Sequence, residues 1–486
     1  MAAAGSLYLA TLVGDVSIWA MNFALMFALA LGIDYALFLV VRFRAARFGR
    51  HEDDASAVAE TMDTAGKAVL FSGLTVLISL SAVMLVPSPA FRSMALGIML
   101  AVVFVLAATL TLLPAVLARL GRRVDALALP WVRAGEHRSA GFAAWAERLW
   151  RRPIAFGALA LVALLALAAP VLGLRTGMPS IKVLPEHASA RVGYDQVQAA
   201  FGPGAPGALQ VVAPTQDVAT TQRVLDADEG VAATMPSMSS ADGRFGLVQA
   251  VPTVDPSDKA LGSTIDRLRE ALPAGVLVGG APAENHDLET TLSDRTPLVM
   301  GVVLALGFLL LLVALQAPLI AALGVLTNLL AVAAAFGVAR LVFQDGHGAG
   351  LFGFESPGYL DAWAPVFFFA MIFAISMDYT VFLLASAKEH WERSGDAREA
   401  MVGGLAHTGR VIFAAGGVMV AVFLTFALSG PLPPKEMGVV LGIAVLLDAA
   451  LVRLLLLPVL LRLTGRAAWA SPRWLRRILP TIRFSH

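Results

Sequence analysis

Nine runs of about twenty apolar residues, each near the length that crosses a bilayer, leave this chain few folds to choose from. They lie at 17–41, 66–86, 93–117, 154–174, 298–315, 320–342, 363–386, 411–429 and 438–461. A backbone in lipid must satisfy its own hydrogen bonds, so such runs form helices. Hydrophobic residues make up 58% of the 486 and charged residues only 15%, against about 25% charged in a soluble domain. The expected fold is an α-helical polytopic membrane protein. The same composition excludes several chemistries. There is no cysteine, hence no disulfide, thiolate metal site or thiol nucleophile. The eight histidines form no H-E-x-x-H cluster and no G-x-x-x-x-G-K-[ST] loop occurs, so neither a metal cofactor nor ATP is expected. A net charge of +1 gives no reason to expect nucleic acid.

Two runs carry the same costly feature. Asp34-Tyr35 sits inside the first and Asp378-Tyr379 inside the seventh. A charged side chain at the centre of a membrane helix costs about 2.5–3.5 kcal/mol on insertion scales, so its default reading is functional. Two further polar residues stand in apolar runs. Asp448 has Arg453 five residues on, and Asn328 reads first as a helix–helix contact. Both are secondary candidates. Lys67 and Arg410 fall at the starts of their runs and read as interface anchors.

Between 175 and 297 the chain turns polar and acidic, with Pro and Gly punctuation. Strand-like runs at 208–212, 244–251 and 276–278 alternate with helix-like runs at 192–201, 220–228 and 259–272. That interleaving suits an inserted α+β domain of the ferredoxin-like, split βαβ type. The expected organisation is a helix remnant (1–16), a three-helix unit (17–117), a linker with an interfacial helix (118–153), one span (154–174), the α+β domain (175–297), two spans (298–342), a loop (343–362), a second three-helix unit (363–461) and a basic tail (462–486). Arg and Lys cluster after 41, after 117, after 386 and in the tail. Basic loops mark the cytoplasmic side, which puts the α+β domain and the 343–362 loop outside and the carboxyl terminus inside.

The two three-helix units look like copies. Asp34 and Asp378 are 344 residues apart, as are Pro114 and Pro458, while Gly66-Lys67 and Gly73 recur 343 residues later as Gly409-Arg410 and Gly416. Both copies begin and end on the same side, so the repeat axis lies along the membrane normal. Successive helix residues point about 100° apart, so Asp34 would face Tyr379 while Tyr35 faces Asp378. Ala30 and Ala374, one turn before each Asp, would let the two helices approach closely. Burial disfavours a charged carboxylate and a hydroxyl donor favours it, so acids held in this way can take up and release protons.

The segments 32–44 (Gly-Ile-Asp-Tyr-Ala-Leu-Phe-Leu-Val-Val-Arg-Phe-Arg), 66–76 (Gly-Lys-Ala-Val-Leu-Phe-Ser-Gly-Leu-Thr-Val), 377–384 (Met-Asp-Tyr-Thr-Val-Phe-Leu-Leu) and 447–458 (Leu-Asp-Ala-Ala-Leu-Val-Arg-Leu-Leu-Leu-Leu-Pro) resemble the MMPL family, the mycobacterial-membrane-protein-large branch of the resistance–nodulation–division superfamily. The resemblance covers nearly the whole chain. It implies a proton-driven exporter of lipids or other hydrophobic compounds in a bacterial plasma membrane, with protons as coupling ion. It puts the proton relay on Asp34, Tyr35, Asp378 and Tyr379, and makes 175–297 a porter domain. Family members have twelve spans and two porter domains, so the chain is expected to lack the first two spans, the first porter domain and most of the third span. A separately encoded amino-terminal half, or a second copy of the chain, would then be a partner. Three alternatives are an inactive or regulatory fragment, a protein-translocation accessory of the same superfamily, and an intramembrane aspartyl protease. Against the protease, both pairs read Asp-Tyr and no Gly-x-Gly-Asp occurs.

Overall fold

The computed structural model describes residues 2–12, 14–49, 53–126, 139–184, 186–428, 432–472 and 475. Arg50, Trp131 and the tail residues Arg473, Arg476, Arg477 and Arg483 lie outside that set. Among the described residues nine helices are long and apolar enough to cross a membrane.

A short helix α1 (Ala2–Ala10) precedes α2 (Ile18–Gly49), α3 (Asp54–Leu85) and α4 (Pro89–Asp125). An amphipathic helix α5 (Ala140–Arg151) leads into α6 (Pro153–Gly173). The α+β region holds β1 (Thr176–Gly177), α7 (Ser189–Phe201), β2 (Leu209–Pro214), α8 (Val218–Ala227), β3 (Val231–Thr234), β4 (Met238–Ser239), β5 (Phe245–Pro252), α9 (Lys259–Ala271) and β6 (Leu277–Gly279). Then come α10 (Ala281–Leu315), α11 (Pro318–Gln344), β7 (Leu360–Asp361), α12 (Ala364–Ser394), α13 (Ala397–Ala427) and α14 (Leu432–Trp469).

The sheet runs β3-β5-β2-β6 with every neighbour antiparallel, which is the split βαβ arrangement. Val211 pairs with Val248 on one side and Val278 on the other. Strand alternation turns Leu209, Val211, Val248 and Ala250 to one face, where they pack with Leu261, Ile265 and Leu268 of α9. The domain has no sharp floor. The helix expected to start at 298 begins at Ala281, inside the domain, and runs on into the membrane segment as α10. Its first turns are polar, which made them read as domain rather than helix.

Backbone detail repeats between the two three-helix units. Asp53 caps α3 by accepting the Ser56 amide at 2.6 Å, and Asp396 caps α13 by accepting the Arg398 amide at 2.9 Å. Lys67 and Arg410 therefore do not mark helix starts. They lie several turns inside helices that begin at Asp54 and Ala397. The intervening residues are polar, but the Asp caps and alanine-rich composition favour helix well outside the apolar run. At the far end of each unit a π-helical stretch (Ala108–Leu112, Asp448–Leu456) leads to a glycine, Gly121 or Gly465, 344 positions apart with φ of +49° and +52°. Only glycine reaches that conformation cheaply.

Helix α12 forms the axis of the bundle. Phe367, Phe368, Phe369 and Phe373 are all buried on it, and a helix apolar on every side belongs in a core. Around it some helices cross at backbone distance. A Cβ at Gly337 of α11 would run into the Leu167 carbonyl of α6, and one at Gly438 of α14 would lie 2.6 Å from the Phe423 carbonyl oxygen of α13.

Candidate functional site

The site assembles from three helices of one repeat unit and two of the other. Asp34 on α2 and Tyr379 on α12 are both buried, and the Tyr379 hydroxyl donates to Asp34 Oδ1. That hydroxyl also lies 3.2 Å from Met419 Sδ on α13. The second pair is arranged differently. The Tyr35 oxygen accepts the Ser72 hydroxyl of α3 at 3.1 Å. Ser72 and Tyr35 are the polar neighbours of Asp378, whose Oδ1 has no hydrogen-bond partner. Both halves thus come together, but they are not equivalent.

The expected close approach of the two Asp-bearing helices at Ala30 and Ala374 does not occur. Each helix packs its backbone on other neighbours, α2 mainly on α4 and α13, and α12 on α3, α10 and α13. Aromatic side chains fill the space between them. Phe38 meets Phe382 edge-on at 4.6 Å and Tyr379 at 6.1 Å, while Phe23 contacts Trp363 and Phe367. Both alanines are buried, but small residues permit a crossing without dictating which helix makes it.

Arg453 joins the site from α14. Only 1% of it is exposed. Its guanidinium sits 4.6 Å over the Tyr379 ring, pairs with Asp448 Oδ2, and donates to the Ser376 carbonyl. Its charge acts on both Asp34 and Asp378. In an α-helix, residues five apart point about 140° away from each other. The π stretch removes that obstacle, because i to i+5 hydrogen bonding stacks Arg453 next to Asp448. A cation over a desolvated ring contributes about 2 kcal/mol. A cavity of about 10 Å³ borders Tyr379, Asp448, Arg453 and Gly416.

Asn328 of α11 stands beside this group rather than in it. It is buried, accepts the Thr380 hydroxyl at 3.2 Å and places its amide 3.2 Å from Met377 Sδ, fastening α11 to α12 at the level of the acids. From the opposite side α5 holds the π stretch. The Trp145 indole donates to the Leu454 carbonyl at 2.8 Å, Glu147 accepts a forked pair from Arg398, and Arg462 lies 4.1 Å over Trp150.

Ser72, Met419 and the reach of Arg453 were not legible beforehand. A hydroxyl in an apolar helix usually bonds its own backbone, so Ser72 carried no distinguishing signal. The repeat supplies one in retrospect. Position 72 corresponds to Ala415, and Asp448 and Arg453 correspond to Phe104 and Thr109. Chemistry that differs between copies marks where the two-fold is broken. Ser72 serves the Tyr35–Asp378 side, and Arg453 caps the Tyr379–Asp34 side.

A family model described as MMPL family matches residues 1–158 and 187–483. The chain is 35% identical over 500 residues to the heme uptake protein MmpL11 of Mycobacterium tuberculosis, covering 99% of this chain and 51% of that protein. It is 35% identical over 502 residues to the mycolic acid-containing lipids exporter MmpL11 of Mycolicibacterium smegmatis, covering 99% and 52%. The chain thus spans about half the length of these curated relatives. Among solved structures it resembles SecDF, a translocon-associated membrane protein from Thermus thermophilus, with a TM-score of 0.55 at 15% identity over 93% of this chain and 56% of that one. At that identity the likeness is one of fold.

Proposed function

The chain belongs to the MMPL family, and from that premise we propose that it is the proton-coupled membrane unit of an exporter of lipids or other hydrophobic compounds. It is a multi-pass membrane protein, and its named relatives are transport proteins. The cargoes in their names are heme and mycolic acid-containing lipids. In this reading Asp34, Tyr35, Asp378 and Tyr379 form the relay, Asp448 and Arg453 bias it, protons are the coupling ion, and no cofactor takes part. The α+β domain is a porter domain outside a bacterial plasma membrane, with the carboxyl terminus in the cytoplasm.

The observation that carries the reading is the buried Tyr379–Asp34 hydrogen bond beneath the Arg453 guanidinium. A neutral Asp34 and a charged one make different demands on that phenol and that cation, so each protonation state favours a different packing. One proton crossing 100 mV yields about 2.3 kcal/mol, enough to shift such an equilibrium by more than tenfold. Reconstituted vesicles with an imposed pH gradient test this. Efflux of a fluorescent lipid should require the gradient and vanish in Asp34→Asn and in Asp378→Asn, both still folded by thermal unfolding in detergent. Gradient-driven efflux that persists in both variants would overturn it.

A further inference from the structure

The acids of the bundle core are not the only buried ones. Where α12 and α14 meet the side of the α+β domain, Asp361 and Glu436 are each 0% exposed. Asp361 Oδ2 accepts the Trp363 indole N–H at 3.1 Å. Its Oδ1 and both oxygens of Glu436 meet no side-chain donor among the described residues, and the Glu436 carboxyl faces the Asp361 backbone amide and carboxyl, which sets the two acids side by side. Among the described residues no Lys or Arg pairs with either acid. Lys435 is adjacent in sequence, but its Nζ donates to the Phe352 and Gly353 carbonyls and lies 5.9 Å from the Phe354 ring centre. Tyr359 faces both acids electrostatically, yet its hydroxyl donates to the Met178 carbonyl at 2.9 Å.

Two neighbouring carboxylates without a cation in a dry site do not both ionise. A neutral carboxyl needs an acceptor for its proton, and here the partner acid carries an unused oxygen. The location gives this consequence. Asp361 lies in β7, which pairs in parallel with β1, the strand that leads from α6 into the α+β domain. The Leu360 amide donates to the Arg175 carbonyl and the Ala362 amide to the Gly177 carbonyl. On its other side Asp361 runs straight into α12, which carries Asp378 and Tyr379. Glu436 lies in the first turns of α14, which carries Asp448 and Arg453. The pair thus sits roughly 18–25 Å from the core acids at 1.5 Å per helical residue, where the α+β domain is anchored to the helices that hold them.

We propose that Asp361 and Glu436 hold a single proton between them, as a carboxyl–carboxylate pair, and that this second proton site fastens the anchor of the α+β domain to the start of α14. Loss of the proton leaves two facing charges and parts β7 from α14. The ligand is the proton itself, taken up from the side of the α+β domain. The inference does not depend on the core acids conducting protons.

Infrared difference spectroscopy on the full chain in lipid tests it. As pH is raised, one protonated-carboxyl C=O band should be lost, shifting in D₂O. That band should change in frequency and in titration midpoint in Glu436→Gln and in Asp361→Asn, vanish in the double variant, and stay as in the wild type in Asp34→Asn and Asp378→Asn. Should Glu436→Gln not fold, Asp361→Asn alone decides. A band unchanged in both pair variants would overturn the proposal. So would a band that sodium chloride removes at constant pH, since that marks two ionised acids around a metal cation. Neither outcome bears on the Asp34 and Asp378 efflux experiment, so the two readings fail separately.

Discussion

Tyr35 and Tyr379 hold equivalent places in two copies of one unit and each faces the other copy's Asp, yet their further partners differ. Tyr379 donates to an acid under a cation, while Tyr35 accepts from a serine. The cation makes the larger difference, because Arg453 is buried and balanced by Asp448. Removing one member of such a pair costs about 3–5 kcal/mol, since the other charge is left uncompensated. Asp448→Asn should therefore lower the thermal unfolding temperature strongly, and Asp448→Asn combined with Arg453→Leu should recover part of the loss. Equal melting of the single and double variants would show that Asp448 does not balance Arg453.

At the scale of elements, the geometry of the site depends on how closely helices cross. Gly438 and Gly442 lie one turn apart on α14, but only the first is crowded. A Cβ at 438 would lie 2.6 Å from the Phe423 carbonyl oxygen and the Ala427 nitrogen, whereas at 442 the nearest atoms are ordinary neighbours, Leu424 and Phe423 side chains at 3.4–3.5 Å. Overpacking costs roughly 1–3 kcal/mol, and backbone cannot move aside as a side chain does. Gly438→Ala should destabilise the protein and Gly442→Ala should be near neutral, read by thermal unfolding in detergent. The π stretch of α14 belongs to the same scale. It sets Arg453 beside Asp448, and the Trp145 indole on α5 occupies one of its carbonyls.

For the whole molecule, orientation is directly testable because the chain has no cysteine. A cysteine placed at exposed Ser239 in the α+β domain should react with an impermeant maleimide on intact cells, and one at exposed Ser394, the last residue of α12, should react only after lysis. The reverse pattern would invert the topology. Acid and alkaline pH should also act on different carboxylates. Hydrogen bonds from Arg267 and Arg269 hold Asp228 and Asp287 below the usual carboxylate range. Their contribution is present above the unfolded value of about 3.9 and is lost as pH falls through the lower folded value. Burial raises Asp361 from 3.8 to about 7, so its contribution is complete at low pH and is lost between those two values as pH rises. Asp361→Asn should thus raise the melting temperature at pH 8 relative to wild type more than at pH 5, and Asp228→Asn should weaken the protein at pH 7 more than at pH 3.

The helices, their number among the described residues, the split βαβ domain and the paired acids were all legible in the amino-acid order. Lipid acts on each segment by its own length and polarity, and strand or helix periodicity in the polar region is equally local. What the order of residues left open is lateral. Ala30 and Ala374 permitted a close crossing that aromatic side chains instead keep apart. Ser72 looked like any helical hydroxyl, and Arg453 sat five residues from Asp448 in a register that an α-helix would have turned away. Partner choice among packed helices depends on side chains from segments hundreds of residues apart, and on a local change of helical pitch. Neither leaves a periodic trace along the chain, so only the folded bundle decides what flanks each phenol–acid pair and where the Arg453 cation goes.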